Sequence, residues 1–392
     1  MLGRVSSDWL LWTYILIGPL AWMGLWIGLA LARTRMGRLR GSLPPLPDPP
    51  PRVSIVVPAK DEAGHIENCV RRLLQQDYPN VELVVVDDRS SDATLSILHR
   101  LRDESPGRMK VQHVDRLPDG WLGKCHALHV GTRELEGEWI LFVDSDVALE
   151  PNATRDTIAL SAGRGYDALS ILTRVNARTF WERLMIPLLG ASWATMFTIS
   201  LTNDDNRPAI AAANGQFFLV RRGAYEKVGG HAAVRQEIVE DVELMRRLKS
   251  AEFKCRLMVG THLASTHMHA TLAELKRGWG RIYAGTASYR TWRILSAIAF
   301  AIVGGLSVYP ALAWGLWRWF AIEDWRWIAA AGAHFALMTL FLAYIYRAAR
   351  CRALDSLLVP VSFPVMIGLL IEGLRRCRDK RFEWRGTAVT IR

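Results

Sequence analysis

Asp144-Ser145-Asp146 follows directly on the apolar run Trp139–Val143. In extended chain, residues i and i+2 point the same way, so both carboxylates can face one point. Two hard oxygen ligands suit Mg²⁺ or Mn²⁺, which keep waters and also take substrate phosphates. Acids solvated in a turn are the plain alternative for a D-x-D by itself. Its place at the end of one buried strand, with Asp87-Asp88 at the end of another, favours a metal-diphosphate site. Glu240-Asp241 opens an amphipathic helix carrying Val242, Leu244, Met245 and Leu248. Both acids suit a helix N-terminus electrostatically. An Asp held near a bound diphosphate can also deprotonate an acceptor hydroxyl within hydrogen-bond reach.

Four further segments could join them. Pro58-Ala59-Lys60-Asp61-Glu62 closes the first strand; Pro58 fixes the turn, and Asp61 or Glu62 can accept from a nucleoside or simply favour the helix start. No GxGxxG or Walker lysine loop follows, so a dinucleotide site is disfavoured. Gly120-Trp-Leu-Gly-Lys124 precedes a helix, where the lysine can face a phosphate or ribose or lie by a surface turn. Asn214-Gly215-Gln216 and Gly229-Gly230 read as turns first and as close backbone approach to a sugar second. Lys276-Arg277-Gly-Trp279-Gly-Arg281 mixes cations with an aromatic, to stabilise a departing diphosphate or to sit on anionic lipid. His262, His267 and His269 read as structural or surface residues, with His267 or His269 left open as a third metal ligand.

The elements that must position these groups alternate. Val53–Val57, Val81–Val86, Met109–Val114 and Trp139–Val143 are strand-like, and Ile66–Leu74, Leu95–Leu101 and Lys124–Leu135 have helical spacing. Strands alternating with helices predict a mostly parallel central sheet covered on both faces, an α/β fold binding ligand beyond the carboxyl ends of its strands. Residues 42–52 (SLPPLPDPPPR) form a semi-rigid spacer before it.

Half of the 392 residues are hydrophobic and 22% are charged, which excludes both a disordered chain and an all-membrane bundle. Five dispersed cysteines without a CxxC pair argue against a disulfide scaffold or zinc module. Trp9–Ala32 is free of charge and long enough to cross a bilayer, and Arg33, Arg35, Arg38 and Arg40 after it place the ensuing chain in the cytoplasm. Ile294–Phe320 and Trp325–Tyr346 are two more candidate spans, joined by a turn with Glu323 and Asp324. Ser356–Ile371 contains Pro360 and Pro364 and has basic clusters on both sides, which favours a Pro-broken re-entrant or in-plane hairpin over a simple crossing. Leu184–Leu201 is apolar yet lies inside the expected soluble part, as a buried core helix or an interfacial helix anchored by Trp181 and Trp193. Arginines clustered at membrane boundaries account for the net charge of +11 better than a nucleic-acid stripe does.

In order, VSIVVPAKDE (53–62), VVVDDRSSDAT (84–94), GWLGKCHAL (120–128), FVDSD (142–146), NGQFFLVRR (214–222) and VEDVEL (239–244) resemble the membrane-bound glycosyltransferases of family 2. The flavour is that of the hopanoid-associated and ceramide-glucosyltransferase-like branch, and the likeness covers roughly residues 53–290. It implies a GT-A fold and an inverting transferase using a nucleotide-sugar, a UDP-sugar first among them, with a divalent cation. By the same resemblance Ala59, Glu62 and Asp88 match donor-nucleoside positions and Lys124 a donor-side lysine. Asp144 and Asp146 match the nucleotide and metal aspartates, and Asp241 the general base. Pro58, Asp87 and Ser145 join the expected donor side; Asn214, Gly215, Gln216, Glu240, Trp279 and Arg281 are expected on the acceptor or leaving-group side. The family's QxxRW element would fall on Gly278, Arg281 and Ile282, a departure that counts against processive polymer synthesis.

The expected organisation is an anchor (1–32), a basic Pro-rich linker (33–52), a cytoplasmic GT-A domain (53–293), a C-terminal membrane region (294–374) and a basic tail (375–392). The expected activity is sugar transfer to a membrane lipid by a multi-pass protein of the cell membrane. The alternatives are a polysaccharide synthase of the same family, which would need more spans, and a non-catalytic membrane scaffold.

Overall fold

The computed structural model describes residues 2–39, 41–196, 199–267, 271–286, 291–379, 381–384 and 387–390. By compactness the chain divides into two units: Met1–Thr34, Ala177–Met196 and His269–Asp379 in one, Arg35–Asn176, Phe197–Met268 and Lys380–Arg392 in the other. Residues 177–196 and 269–293, expected within the catalytic domain, thus belong to the first, helical unit.

The second unit is α/β. Its strands are β1 (Val53–Ala59), β2 (Val81–Asp88), β3 (Met109–Val114), β4 (Trp139–Val143), β5 (Val147–Leu149), β6 (Ala168–Leu172), β7 (Arg174–Val175), β8 (Phe217–Arg221), β9 (Cys255–Val259) and β10 (Ala264–Thr266). Seven of them form one sheet in the order β3-β2-β1-β4-β8-β6-β9, mostly parallel, with β8 antiparallel to both neighbours. The strands are Val/Ile/Leu-rich because both faces are covered. Ile55, Val57, Leu141 and Val143 pack on one side with Ile66, Leu73 and Leu98; Val56, Val84, Ile140 and Phe142 pack on the other with Leu128, Leu244 and Leu248. Each such fully buried side chain contributes about 1.5–3 kcal/mol.

Register sets the functional edge. Ala59 pairs with Asp87, and Val56 with Phe142, so β1, β2 and β4 end on the same side of the sheet. Because β8 runs the other way, its first residue Phe217 faces Val143. The loop before β8 is thereby delivered to that edge as well. A second sheet, β5-β10-β7, continues from β4 and pairs Thr266 with Val147. Part of the expected linker is tied down: Val259 N–H donates to the Gly37 carbonyl (3.1 Å) and Leu39 N–H to the Val259 carbonyl (3.3 Å).

In the helical unit, Trp9–Arg35, Thr291–Ile322, Arg326–Ala348 and Ala353–Arg378 are each long and apolar enough to cross a membrane. In the last, the backbone break expected at the prolines is absent. Ser356–Ile371 lies in a 3₁₀ turn (Ala353–Leu358) running into one helix, Val359–Asp379. Pro360 falls in the first turn, where its missing N–H costs no intrahelical bond, and Pro364 gives up one such bond without ending the helix. The charged end of this helix packs on Leu272–Thr286: Glu372 pairs with Arg376 (3.1 Å) and Lys276 (4.0 Å), and Gly280 and Gly373 let the two helices approach closely. Phe180–Met196, which contains most of the described part of 184–201, is a helix of this unit, and the Leu184 carbonyl accepts from Tyr346 Oη.

The span Thr291–Ile322 carries a π-helical segment, Ala301–Leu306. The Gly304 carbonyl within it accepts from two other spans, from Trp22 Nε1 (2.5 Å) and from His334 Nε2 (2.8 Å). That bond makes Nδ1 of His334 the acceptor for the Tyr14 hydroxyl at 2.8 Å. Gly18 is required there, since a Cβ would stand 2.7 Å from the His334 ring.

Candidate active site

Asp144 leaves β4 at the carboxyl edge, and Lys124 approaches it from the helix Gly123–Gly131. The Lys124 ammonium bridges Asp144 Oδ1 and Glu240 Oε1, each at 2.8 Å. Asp241, beside Glu240 at the start of the helix Glu240–Ser250, accepts its own helix's Val242 N–H on Oδ1 (2.9 Å). Gly215 closes the group from the β8 side: a Cβ there would lie 3.1 Å from Lys124 Nζ and 3.3 Å from Asp241 Oδ2. A side chain there would have to push Lys124 or Asp241 aside by a few tenths of an ångström. With Pro58, these residues line a cavity of ≈ 10 Å³, about the room one water needs.

Two carboxyls here are strongly perturbed. Burial, then the neighbouring Glu240, raises the Asp241 pKa to about 7 against the opposing pull of Lys124. Burial, then Asp144, raises Asp146 to about 7, with Glu62 adding to the effect and the Thr266 hydroxyl, which donates to Oδ2 at 2.9 Å, opposing it. Burial works to lower the Lys124 pKa, but Asp144, Glu240 and Asp241 outweigh it and hold the ammonium charged. Beneath the group His231 is pushed down to about 3 by burial and by Lys124, so it stays neutral against the Tyr225 hydroxyl (2.8 Å).

The rest of the expected donor side divides. Ala59 and Ser145 are buried at the ends of β1 and β4, and Glu62 is buried with its N–H donating to Thr94 Oγ1 (2.7 Å). Asp88 lies against the start of the Lys124 helix, where a Cβ on Gly123 would meet its Oδ2 at 2.5 Å, and its carboxylate is held by Arg89 (2.8 and 3.0 Å). Asp87 alternates away from it, fully buried, and takes His113 Nδ1 (2.8 Å) as its partner, so it supports the edge rather than lining the cavity. Asn214 Nδ2 donates to the Ile171 carbonyl (3.0 Å) and Gln216 Oε1 accepts from Thr173, bonds that brace the loop around Gly215. Trp279 and Arg281 stand on Leu272–Thr286 in the helical unit, with Trp279 buried against Tyr283. His267 bonds the Asn176 carbonyl (3.1 Å), and His269 lies outside the described residues. The ion bridge through Lys124 and Glu240, and Thr266 on Asp146, had no signal in the sequence beyond the glycine before Lys124.

The donor set fits a hard cation. Asp146 is driven toward its neutral form by burial and then by Asp144, and a nearby positive charge would relieve both effects. Among the described residues no group of three or more His, Cys, Asp and Glu side chains could hold a metal, so phosphate and water oxygens would complete the shell.

Residues 54–229 match the family described as glycosyl transferase family 2. The chain is 24% identical over 351 residues to a 4,4'-diaponeurosporenoate glycosyltransferase of Staphylococcus aureus, covering 86% of this chain and 88% of that one. It is similar in structure to the mannosyltransferase PcManGT from Pyrobaculum calidifontis, solved in complex with GDP-Man and Mn²⁺, with a TM-score of 0.52, 17% identity and 96% of each chain covered. The likeness speaks at the level of the family and the GT-A fold and specifies no branch within it.

Proposed function

Because this chain carries a family 2 glycosyltransferase domain with the GT-A fold, and is thereby a glycosyltransferase, we propose that it moves a sugar from a nucleotide-diphosphate donor to a membrane lipid by a single inverting displacement. The observation that carries the reading is the meeting of Asp144, Lys124, Glu240, Asp241 and Gly215 at one sheet edge, with Asp146 next to Asp144. Asp144 and Asp146 are the residues that would hold Mg²⁺ or Mn²⁺, whose charge would offset that of the leaving diphosphate. Lys124 brings a second positive charge to that side, and Ala59, Glu62 and Asp88 border the nucleoside. Asp241 takes the acceptor's proton while the acceptor oxygen attacks the anomeric carbon from the face opposite the leaving group.

Four helices long and apolar enough to cross a membrane, and a relative named 4,4'-diaponeurosporenoate glycosyltransferase, support a lipid acceptor. The arginines after the first span support a catalytic unit on the cytoplasmic side of the cell membrane. The test pairs two variants in donor-titration calorimetry and in a lipid-transfer assay. Asp241→Asn should lose transfer and keep donor binding, whereas Asp146→Ala should weaken both. Loss of donor binding in Asp241→Asn would overturn its role as base.

A further inference from the structure

The helical unit contains a cavity of ≈ 450 Å³, within the range of sites for small molecules. Its walls come from four candidate spans and from the helices Phe180–Met196 and Leu272–Thr286; Trp22, Leu188, Phe300, Phe341, Phe363 and Leu370 give its character. These spans would stand in hydrocarbon, so the bilayer rather than water supplies an occupant. The Ser192 and Tyr283 hydroxyls on the wall bond each other at 2.7 Å and are thereby satisfied. Arg293 is not satisfied in this way. Its guanidinium lies over the Trp292 ring at 5.7 Å, no acidic residue lines the cavity, and it makes no ion pair among the described residues. A guanidinium at the wall of an apolar hole in a membrane unit calls for an anion, since charge-assisted bonds to carboxylate or phosphate are what such a group makes.

We propose that this cavity holds the hydrocarbon tail of a single-tailed amphiphile whose anionic head pairs with Arg293. One cation and a cavity of one-ligand size suit one tail and one head. The proposal rests on the reading that the acceptor is a membrane lipid, and it specifies that lipid as single-tailed, with an anionic group apart from the hydroxyl whose proton Asp241 takes.

The probe is 9,10-dibromostearic acid, whose bromines quench indole fluorescence on contact; Trp22 and Trp292 both line the cavity. With the full chain in detergent micelles, quenching should saturate. Ala191→Phe and Ala297→Phe, which fill the cavity from two different helices, should each shift half-saturation at least about tenfold, with melting curves like the parent's. Arg293→Gln should weaken the acid by about tenfold or more and leave the methyl ester of the same probe unchanged. Quenching that rises without saturating is bilayer-like partition and overturns the proposal, as does saturation that neither phenylalanine moves. Equal affinity of the parent for acid and ester overturns the role of Arg293. Saturable binding that fails to compete with lipid glycosylation supports the cavity and counts against the lipid-acceptor reading alone.

Discussion

Asp241 is a carboxyl drawn toward neutrality by burial and Glu240 and toward ionisation by Lys124, with its pKa raised to about 7; the proposed role as base gives this a kinetic reading. A base acts only when ionised, so log kcat/KM for the acceptor should rise with unit slope up to about pH 7 and level off above it. Asp241→Asn should lower transfer by about 10²–10⁴. The same carboxyl weighs on stability in the opposite sense. Its folded pKa stands above the ordinary 3.8, so its stabilising share is full below about pH 4 and is lost as pH rises through about 7. Asp241→Asn should therefore melt higher than the parent at pH 8, by roughly 2–4 °C per kcal/mol recovered, with a smaller gain at pH 5; a scanning-calorimetry series at the two pH values reads it. Gly215→Ala should cost activity without unfolding the protein, because its methyl reaches Lys124 and Asp241 before any backbone. At this scale the places of Asp144 and Asp146 after a strand and of Asp241 at a helix start were legible, because the apolar patterns that define those elements stop just before or begin just after them. The Lys124–Glu240 pair was not, since nothing local in the chain links residues so far apart.

Among the elements, β8 brings the Gly215 loop to the site, and it is among the strands beyond the first four that the periodicity left unspoken. A five-residue apolar strand reads alike in either direction, and only its pairing with β4 and β6 makes it antiparallel. By contrast, Met109–Val114 and Trp139–Val143 agree residue for residue with the strands expected there. β1 runs on through Pro58, which a central strand should not tolerate. It can, because the ladder to β4 has already ended at Val56 and Pro58 faces only Val86 of β2. The helix expected over 124–135 stops at Gly131, which lies against Val56 and Val86. The segment leading to β8 is held by Lys249, whose buried ammonium donates to the carbonyls of Thr202 (2.7 Å), Asp204 (3.1 Å), Arg207 (3.2 Å) and Ile210 (2.7 Å). Lys249→Met takes the ammonium from the Thr202 and Ile210 carbonyls, while those of Asp204 and Arg207 keep the Arg207 and Ile210 N–H groups; it should cost on the order of 3 kcal/mol, read as a lowered urea midpoint.

For the molecule as a whole, hydropathy gives the first three spans directly, because long apolar runs admit few other readings. The fourth reads as a hairpin from its residues alone, since prolines weigh as breakers until one is seen to fall in a first turn. Its polar end is nevertheless packed on Leu272–Thr286 through Glu372, beside the basic Arg375–Arg378 stretch. Single cysteines placed at Ser42 and at Arg378 in a cysteine-free background should accordingly react with a membrane-impermeant maleimide from the same side. Labelling from opposite sides would make the last helix a full crossing.

The Gly304 oxygen has a mechanical consequence. An indole and an imidazole borne on separate segments converge on a single atom, so sliding either by one turn, about 5.4 Å, would sever its grip outright. Piston-like travel of either segment would therefore cost its bond, about 0.5–1.5 kcal/mol, whereas rocking about that fulcrum keeps both.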